Sequence, residues 1–142
     1  MNIRKTILIC AVPFVAAFAA SSTFAQTALQ SPAQVQTALA TLSRVVNHTQ
    51  RLITAGNYAR LPHENEEFKE GLEALEQSIA KDPAGFKAKV APLLQQARAG
   101  SQGVADAAPT HDEVRLAAAH AALADSVKAV LAAFPDSVQP AH

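Results

Sequence analysis

Two histidines in predicted helical segments, His48 and His120, have the residue type and position to hold a cofactor. Imidazole nitrogens commonly ligate haem iron and divalent metals. His48 lies about eight residues before the glycine that ends the first helical segment, and His120 lies about ten residues after the start of the last. At about 1.5 Å per residue, the two histidines lie at similar depth in a bundle. One hypothesis is therefore a site for haem b or a divalent metal, formed by His120 with His48 or another second ligand.

The position of His48 relative to the apolar residues of its own helix opposes that hypothesis. At roughly 100° per residue, His48 lies about 120° from the centre of the apolar stripe. It aligns instead with Arg44 and Arg51, which favours a basic stripe on a solvated face. His120 lies within the apolar stripe of the last helix, where the simpler interpretation is a core histidine bonded to a neighbouring polar group or to backbone.

A second candidate site, for a metal ion, consists of His63 and Glu67. These residues are four apart, so they lie on one helical face and can share a metal ion. His111 and Asp112 begin the last helix at the same end of an up-down bundle. The alternative is a solvated polar end, in which acidic residues lie near helix N-termini because they interact favourably with the helix dipole.

The residues that most catalytic sites require are missing after residue 25. This part of the chain has no Cys, no glycine-rich phosphate loop, no His-Glu-x-x-His motif and no serine in a nucleophile elbow. The architecture resembles that of bundle cytochromes, but the Met ligand and the Cys-x-x-Cys-His motif of those families are missing, so neither ligand set carries over. The sequence therefore predicts that the protein is not an enzyme.

Residues 1–25 have the features of a cleaved signal peptide. Arg4 and Lys5 precede an apolar run over residues 7–20, which is too short for a membrane span. Thr23 and Ala25 fit a signal peptidase site, with cleavage before Gln26. The predicted product, residues 26–142, is a single periplasmic or extracellular domain without a membrane span. Ten basic against twelve acidic residues would remain, a net charge of −2, and the lack of a basic run predicts no nucleic-acid binding.

The rest of the chain is expected to be all-α. Apolar residues recur at spacings of three and four, and no alternating strand pattern occurs. Short joints between the segments predict an up-down-up-down four-helix bundle. Helices are expected over residues 32–55, 62–81, 83–99 and 111–134, approximately.

Particular residues are expected to begin, bend or end these helices. Thr110 is expected to cap the last helix, with Glu113 completing a capping box, and Asp82 is expected to cap the third. Pro92 is expected to kink or split the third helix, and residues 100–109 to form the longest loop.

These features together predict a small exported helical bundle that works as a non-catalytic binding or interaction module. Its partner would be an unidentified protein or small-molecule ligand, and no cofactor is required. The alternative is a periplasmic carrier of haem b or of a divalent metal.

Overall fold

The computed structural model describes residues 29–140, so the leader predicted over residues 1–25 lies outside the described residues. Within residues 29–140 the chain is helical and contains no strand, which confirms the prediction of an all-α fold with four helices. No helix in this range has the length and apolar character needed to cross a membrane. The four α-helices are α1 (Pro32–Thr54), α2 (Leu61–Ser78), α3 (Ala84–Ala107) and α4 (Glu113–Ala132). Short 3-10 turns occupy Tyr58–Arg60, Ala108–Thr110 and Asp136–Val138.

The helices pack as a bundle in which consecutive helices are antiparallel. Each helix packs against its neighbours in sequence, and α1 packs against α4 to close the bundle. Near the start of α3, the ring of Phe86 meets the ring of Phe134, which follows α4, edge to face with centroids 5.4 Å apart. Further along α3, Gly100 approaches Leu123. The end of α4 therefore lies beside the start of α3.

The core contains the apolar residues that the three-and-four spacing predicts. The side chains bury their apolar surface between the helices, which is the main favourable contribution to folding. Leu116, Leu123, Val127 and Val130 of α4 are all buried, as their spacing requires. The residues with no exposed surface in the other three helices are Val35, Leu39, Leu42, Phe68, Leu72, Leu75, Val90 and Ala97.

Helix α3 is longer than predicted. It continues through Gly100 and Gly103 to Ala107, so the prediction that it ends at residue 99 and is followed by a loop over residues 100–109 is wrong. The reason is the contact of α3 with α4: a Cβ on Gly100 would lie 3.0 Å from the Cα of Leu123. Glycine at this position permits a close approach of two helix backbones, and it does not end the helix.

Pro92 does not split α3, which passes through it as one helix. The cap predicted for this helix is also wrong. Pro83 occupies the N-cap position of α3, and Asp82 is buried instead. The Oδ1 of Asp82 accepts a hydrogen bond of 2.9 Å from the backbone N–H of Gln30, so this carboxylate holds the chain that enters α1.

Helix α4 starts later than predicted and has a different cap. Asp112 is the N-cap, because its Oδ1 accepts the backbone N–H groups of Val114 and Arg115, both at 3.0 Å. Thr110 donates instead to the carbonyl oxygen of Ala107 at 2.7 Å. His111 adopts a left-handed conformation with φ of 54°, which turns the chain between Thr110 and Asp112. The predicted capping box of Thr110 is therefore wrong.

Candidate functional site

His48 of α1 faces Glu64 of α2. The Nδ1 atom of His48 lies 2.9 Å from Oε2 of Glu64; the Glu64 side chain is 3% exposed and that of His48 is 30% exposed. A carboxylate accepts hydrogen bonds, so the pairing favours the imidazole with its hydrogen on Nδ1 and leaves Nε2 directed away from Glu64. The solvated basic stripe predicted for Arg44, His48 and Arg51 is wrong at His48, because α2 packs beside this face of α1 and supplies an acidic partner.

His120 of α4 contacts α1 at Val46, two residues before His48 and on a different face of that helix. The residue is 9% exposed, and its Nε2 lies 3.1 Å from the carbonyl oxygen of Val46. Because a carbonyl oxygen only accepts, Nε2 of His120 carries the hydrogen. This contact matches the interpretation of His120 as a core histidine bonded to backbone.

The structure does not place His48 and His120 against a common partner. His48 contacts α2 through Glu64, whereas His120 contacts α1 through Val46. A ligand bound by both imidazoles through these atoms would have to break two hydrogen bonds. The pair as a haem or metal site stays a prediction.

A polar contact between α2 and α3 was not found by sequence reasoning. Asn65 and Ser101 are buried, and the hydroxyl of Ser101 donates to Oδ1 of Asn65 at 2.7 Å. The amide of Asn65 donates to Oε1 of Gln102 at 3.4 Å. Glu64 and Asn65 lie four and three residues before the buried Phe68, so helical periodicity was the signal that placed both on the inner face of α2.

These contacts lie at one level of the bundle. They link α4 to α1, α1 to α2 and α2 to α3, and in each helix they involve residues within about one turn. Buried polar groups are stable when they have hydrogen-bond partners, and each such partner here lies on a neighbouring helix. These contacts therefore hold the helices in register, and the contact with Glu64 positions the ring of His48.

His63 and Glu67, the predicted metal pair, lie close together on α2. The Nε2 of His63 is 3.6 Å from Oε1 of Glu67, and their side chains are 64% and 32% exposed. Oε2 of Glu67 accepts a hydrogen bond of 3.1 Å from Arg44. The ring of His111 contacts the ring of Tyr58, with centroids 5.4 Å apart. Within residues 29–140, no three His, Cys, Asp or Glu side chains gather in an arrangement that could hold a metal ion.

A groove of about 740 Å³ lies between α1 and α2, towards the start of α1 and the end of α2. Its sides carry short or uncharged side chains, apart from Lys81, which supplies a positive charge at one end. Asp82 is next to Lys81 and holds Gln30 beside Ser31, so this buried carboxylate fixes the end of the groove. The lining residues are Ser31, Ala33, Gln34, Thr37, Ala38, Thr41, Ala74, Gln77, Ser78 and Lys81.

No family model, curated protein or solved structure matches this chain. Function is therefore inferred from the groove and from the contacts between helices.

Proposed function

We propose that the protein is exported and acts as a non-catalytic binding module that takes a small polar ligand in the groove between α1 and α2. The observation that supports this proposal is the groove itself. Its volume of about 740 Å³ lies within the range of about 300–1,000 Å³ that is typical of small-molecule sites. Export is supported by the signal-peptide pattern of residues 1–25.

The hydroxyl groups of the groove favour a ligand that donates hydrogen bonds. Thr37 donates to the carbonyl oxygen of Ala33 at 3.0 Å, and Thr41 donates to that of Thr37 at 3.1 Å. Because the hydroxyl hydrogens of Thr37 and Thr41 form hydrogen bonds within α1, the hydroxyl oxygens remain as acceptors for a ligand. The expected ligand therefore carries N–H or O–H groups along its length.

Lys81 adds a preference for negative charge. An ammonium group attracts an anionic group, and it donates up to three hydrogen bonds. Gln34 and Gln77, on opposite sides of the groove, can each donate and accept. A small acid or amino-acid-like molecule with polar groups meets these requirements, and the short side chains of Ala33 and Ala74 leave room for it.

The lining of the groove favours binding without chemistry. Proton transfer in an active site requires a positioned acid and base, most often histidine or a carboxylic acid. The groove residues include one titratable side chain, Lys81, and the contact of the partly exposed His48 with the buried Glu64 lies towards the other end of α1. The proposal is therefore a carrier or sensor of its ligand.

Native mass spectrometry of the exported protein tests this proposal. The full chain is expressed with its own leader, recovered from the exported fraction and compared with Ala74→Trp, in which an indole fills the groove. Ala74 is exposed, so the larger side chain should not disturb the core. Ala118→Trp, at an exposed position on α4, is the matched control.

The proposal expects a bound small molecule on the wild-type protein and on Ala118→Trp, and none on Ala74→Trp. Thermal melts establish that both variants are folded. Wild-type protein without a bound molecule, or equal retention by both variants, would overturn the assignment of the groove. An absorption spectrum of the same sample with a haem band would support the carrier hypothesis of His120 with His48 instead.

A further inference from the structure

We propose that His48 and His63 form a two-histidine site for a divalent transition metal ion on the surface where α1 meets α2. Glu64 and Glu67 are the carboxylates that orient the two rings. This site lies towards the opposite end of α1 and α2 from the groove, so it goes beyond the proposed function and does not depend on it. No residue of the site lines the groove.

The orientation of His48 is the first argument. A histidine that binds metal through one ring nitrogen commonly donates the hydrogen on the other to a carboxylate or a carbonyl, which fixes the ring. His48 has this arrangement: its Nδ1 lies 2.9 Å from Oε2 of Glu64, whose side chain is 3% exposed. Since Glu64 is held in the interior, Nε2 of His48 is directed outward as a lone-pair donor.

The placement of His63 is the second argument. Oε1 of Glu67 lies 3.6 Å from Nε2 of His63, and Oε2 of the same carboxylate bonds to Arg44 of α1. Because Glu67 contacts both residues, the face of α2 that carries His63 is the face that meets α1. Arg44 is one turn before His48 on α1, so His48 and His63 lie along the same contact surface.

The exposure of the His63 side chain is the third argument. Its side chain is 64% exposed, so the ring can turn towards His48 at little cost in packing. Glu67 can then accept a hydrogen bond from the ring nitrogen that does not bind metal, as Glu64 does for His48. The bond from Arg44 keeps Glu67 in place, so we assign Glu67 an orienting role.

The two imidazole ligands determine which class of metal ion the site would bind. Neutral imidazole nitrogens suit Zn²⁺, Cu²⁺ and Ni²⁺, whereas Mg²⁺ and Ca²⁺ prefer oxygen ligands. Two protein ligands leave further coordination positions, which water fills. The positive charges of Arg44 and Arg51, each about one turn from His48, oppose a cation, and the charges of Glu64 and Glu67 offset them.

Calorimetric titration of the full exported chain, purified without a histidine tag, tests the site with Zn²⁺ and Ni²⁺ as probes. The wild-type protein should bind one equivalent of either ion. His48→Ala and His63→Ala should each abolish this binding, and Glu64→Gln should weaken it by about 10–100-fold, as for other residues that orient metal ligands. His111→Ala, which removes an exposed histidine outside the site, is the matched control and should bind normally.

A second measurement uses only the wild-type protein, so it tests the site even if a variant does not fold. Nitrogen chemical shifts of the wild-type imidazoles should show hydrogen on Nδ1 of His48 without metal, and Zn²⁺ should shift Nε2 of His48 and a ring nitrogen of His63. Mg²⁺ should leave both unchanged. Failure of the wild-type protein to bind Zn²⁺ or Ni²⁺, or unchanged binding in a folded His48→Ala or His63→Ala variant, would overturn the site. Ala74→Trp should bind metal normally, so the outcome is separate from that for the groove.

Discussion

Gly100 of α3 lies against the backbone of Leu123 in α4, and a Cβ added to Gly100 would be 3.0 Å from the Cα of Leu123. Gly103, one turn later in the same helix, has no atom within 4 Å of the corresponding position. The two glycines are therefore a matched pair: both lie inside α3, but only Gly100 is required for close packing of α3 on α4.

Alanine at these two positions should have opposite effects on stability. Gly100→Ala should destabilise the protein by about 1–3 kcal/mol, because the added methyl group forces two helix backbones apart. Gly103→Ala should stabilise it by about 0.5–1 kcal/mol, because alanine is the better helix former and its methyl group meets open space. Urea denaturation gives both values. Equal stabilisation by the two substitutions would show that α3 and α4 do not approach closely at Gly100.

Replacement of core side chains by alanine should lower the free energy of unfolding substantially. Leu72 and Leu123 are 0% and 1% exposed, and replacement of either by alanine should cost about 2–5 kcal/mol through lost burial and the cavity left behind. Val114 is 81% exposed and serves as the control; Val114→Ala should change stability by less than about 0.5 kcal/mol. Thermal melts of the three variants check the assignment of the core, and similar melting temperatures would contradict it.

The contact of His48 with Glu64 should contribute more to the stability of the fold than the contact of Arg44 with Glu67. His48→Ala leaves a buried carboxylate without its partner and should cost about 1–3 kcal/mol. Arg44→Ala removes a contact between an exposed and a partly exposed side chain and should lower stability by about 0–1 kcal/mol. Addition of Glu64→Leu to His48→Ala should recover part of the loss, because no unpaired buried carboxylate then remains. Denaturation of the single and double variants gives the comparison, and a further loss of stability in the double variant would argue against a buried carboxylate that depends on His48.

The cap of α4 can be tested at one position. Asp112→Ala should cost about 0.5–2 kcal/mol, because the N–H groups of Val114 and Arg115 lose their acceptor. Asp112→Asn keeps a side-chain oxygen and should lose much less. If Thr110→Ala were more harmful than Asp112→Ala, the helix would start at the earlier position that the sequence pattern predicts.

His120 should be replaceable without loss of the fold. Val46 lies within α1, where its carbonyl oxygen also accepts the helical N–H of Gln50, so it keeps a partner when the imidazole is removed. His120→Leu should therefore cost only about 1 kcal/mol, the usual net value of one hydrogen bond. Circular dichroism and denaturation measure the effect. Unfolding of this variant would show that the bond to Val46 is essential to the bundle.

The sequence predicts the parts of the fold that depend on local pattern. The spacing of Leu116, Leu123, Val127 and Val130 identifies the inner face of α4, and all four are buried. The length of α3 is not predictable in this way. A glycine such as Gly100 commonly marks the end of a helix, and only the structure shows that the backbone of α4 lies against it. A contact between helices overrides the local preference of the residue.

The candidate site is harder to predict for a related reason. A search for apolar residues at helical spacing passes over Glu64 and Asn65, although both occupy inner positions of α2. The same search places His48 on the outer side of α1, because the angle from an apolar stripe does not show which neighbouring helix supplies a polar partner. The groove between α1 and α2 has no sequence signal, since it arises from short side chains on two separate helices.

The most direct test of the proposed binding groove is a crystallographic map of the wild-type protein, purified from its natural host without ligand exchange. We predict density for a small polar molecule between Thr37 and Ala74, with an anionic group near Lys81. A groove that holds only water, with a bound molecule at another place on the bundle, would contradict the proposed function.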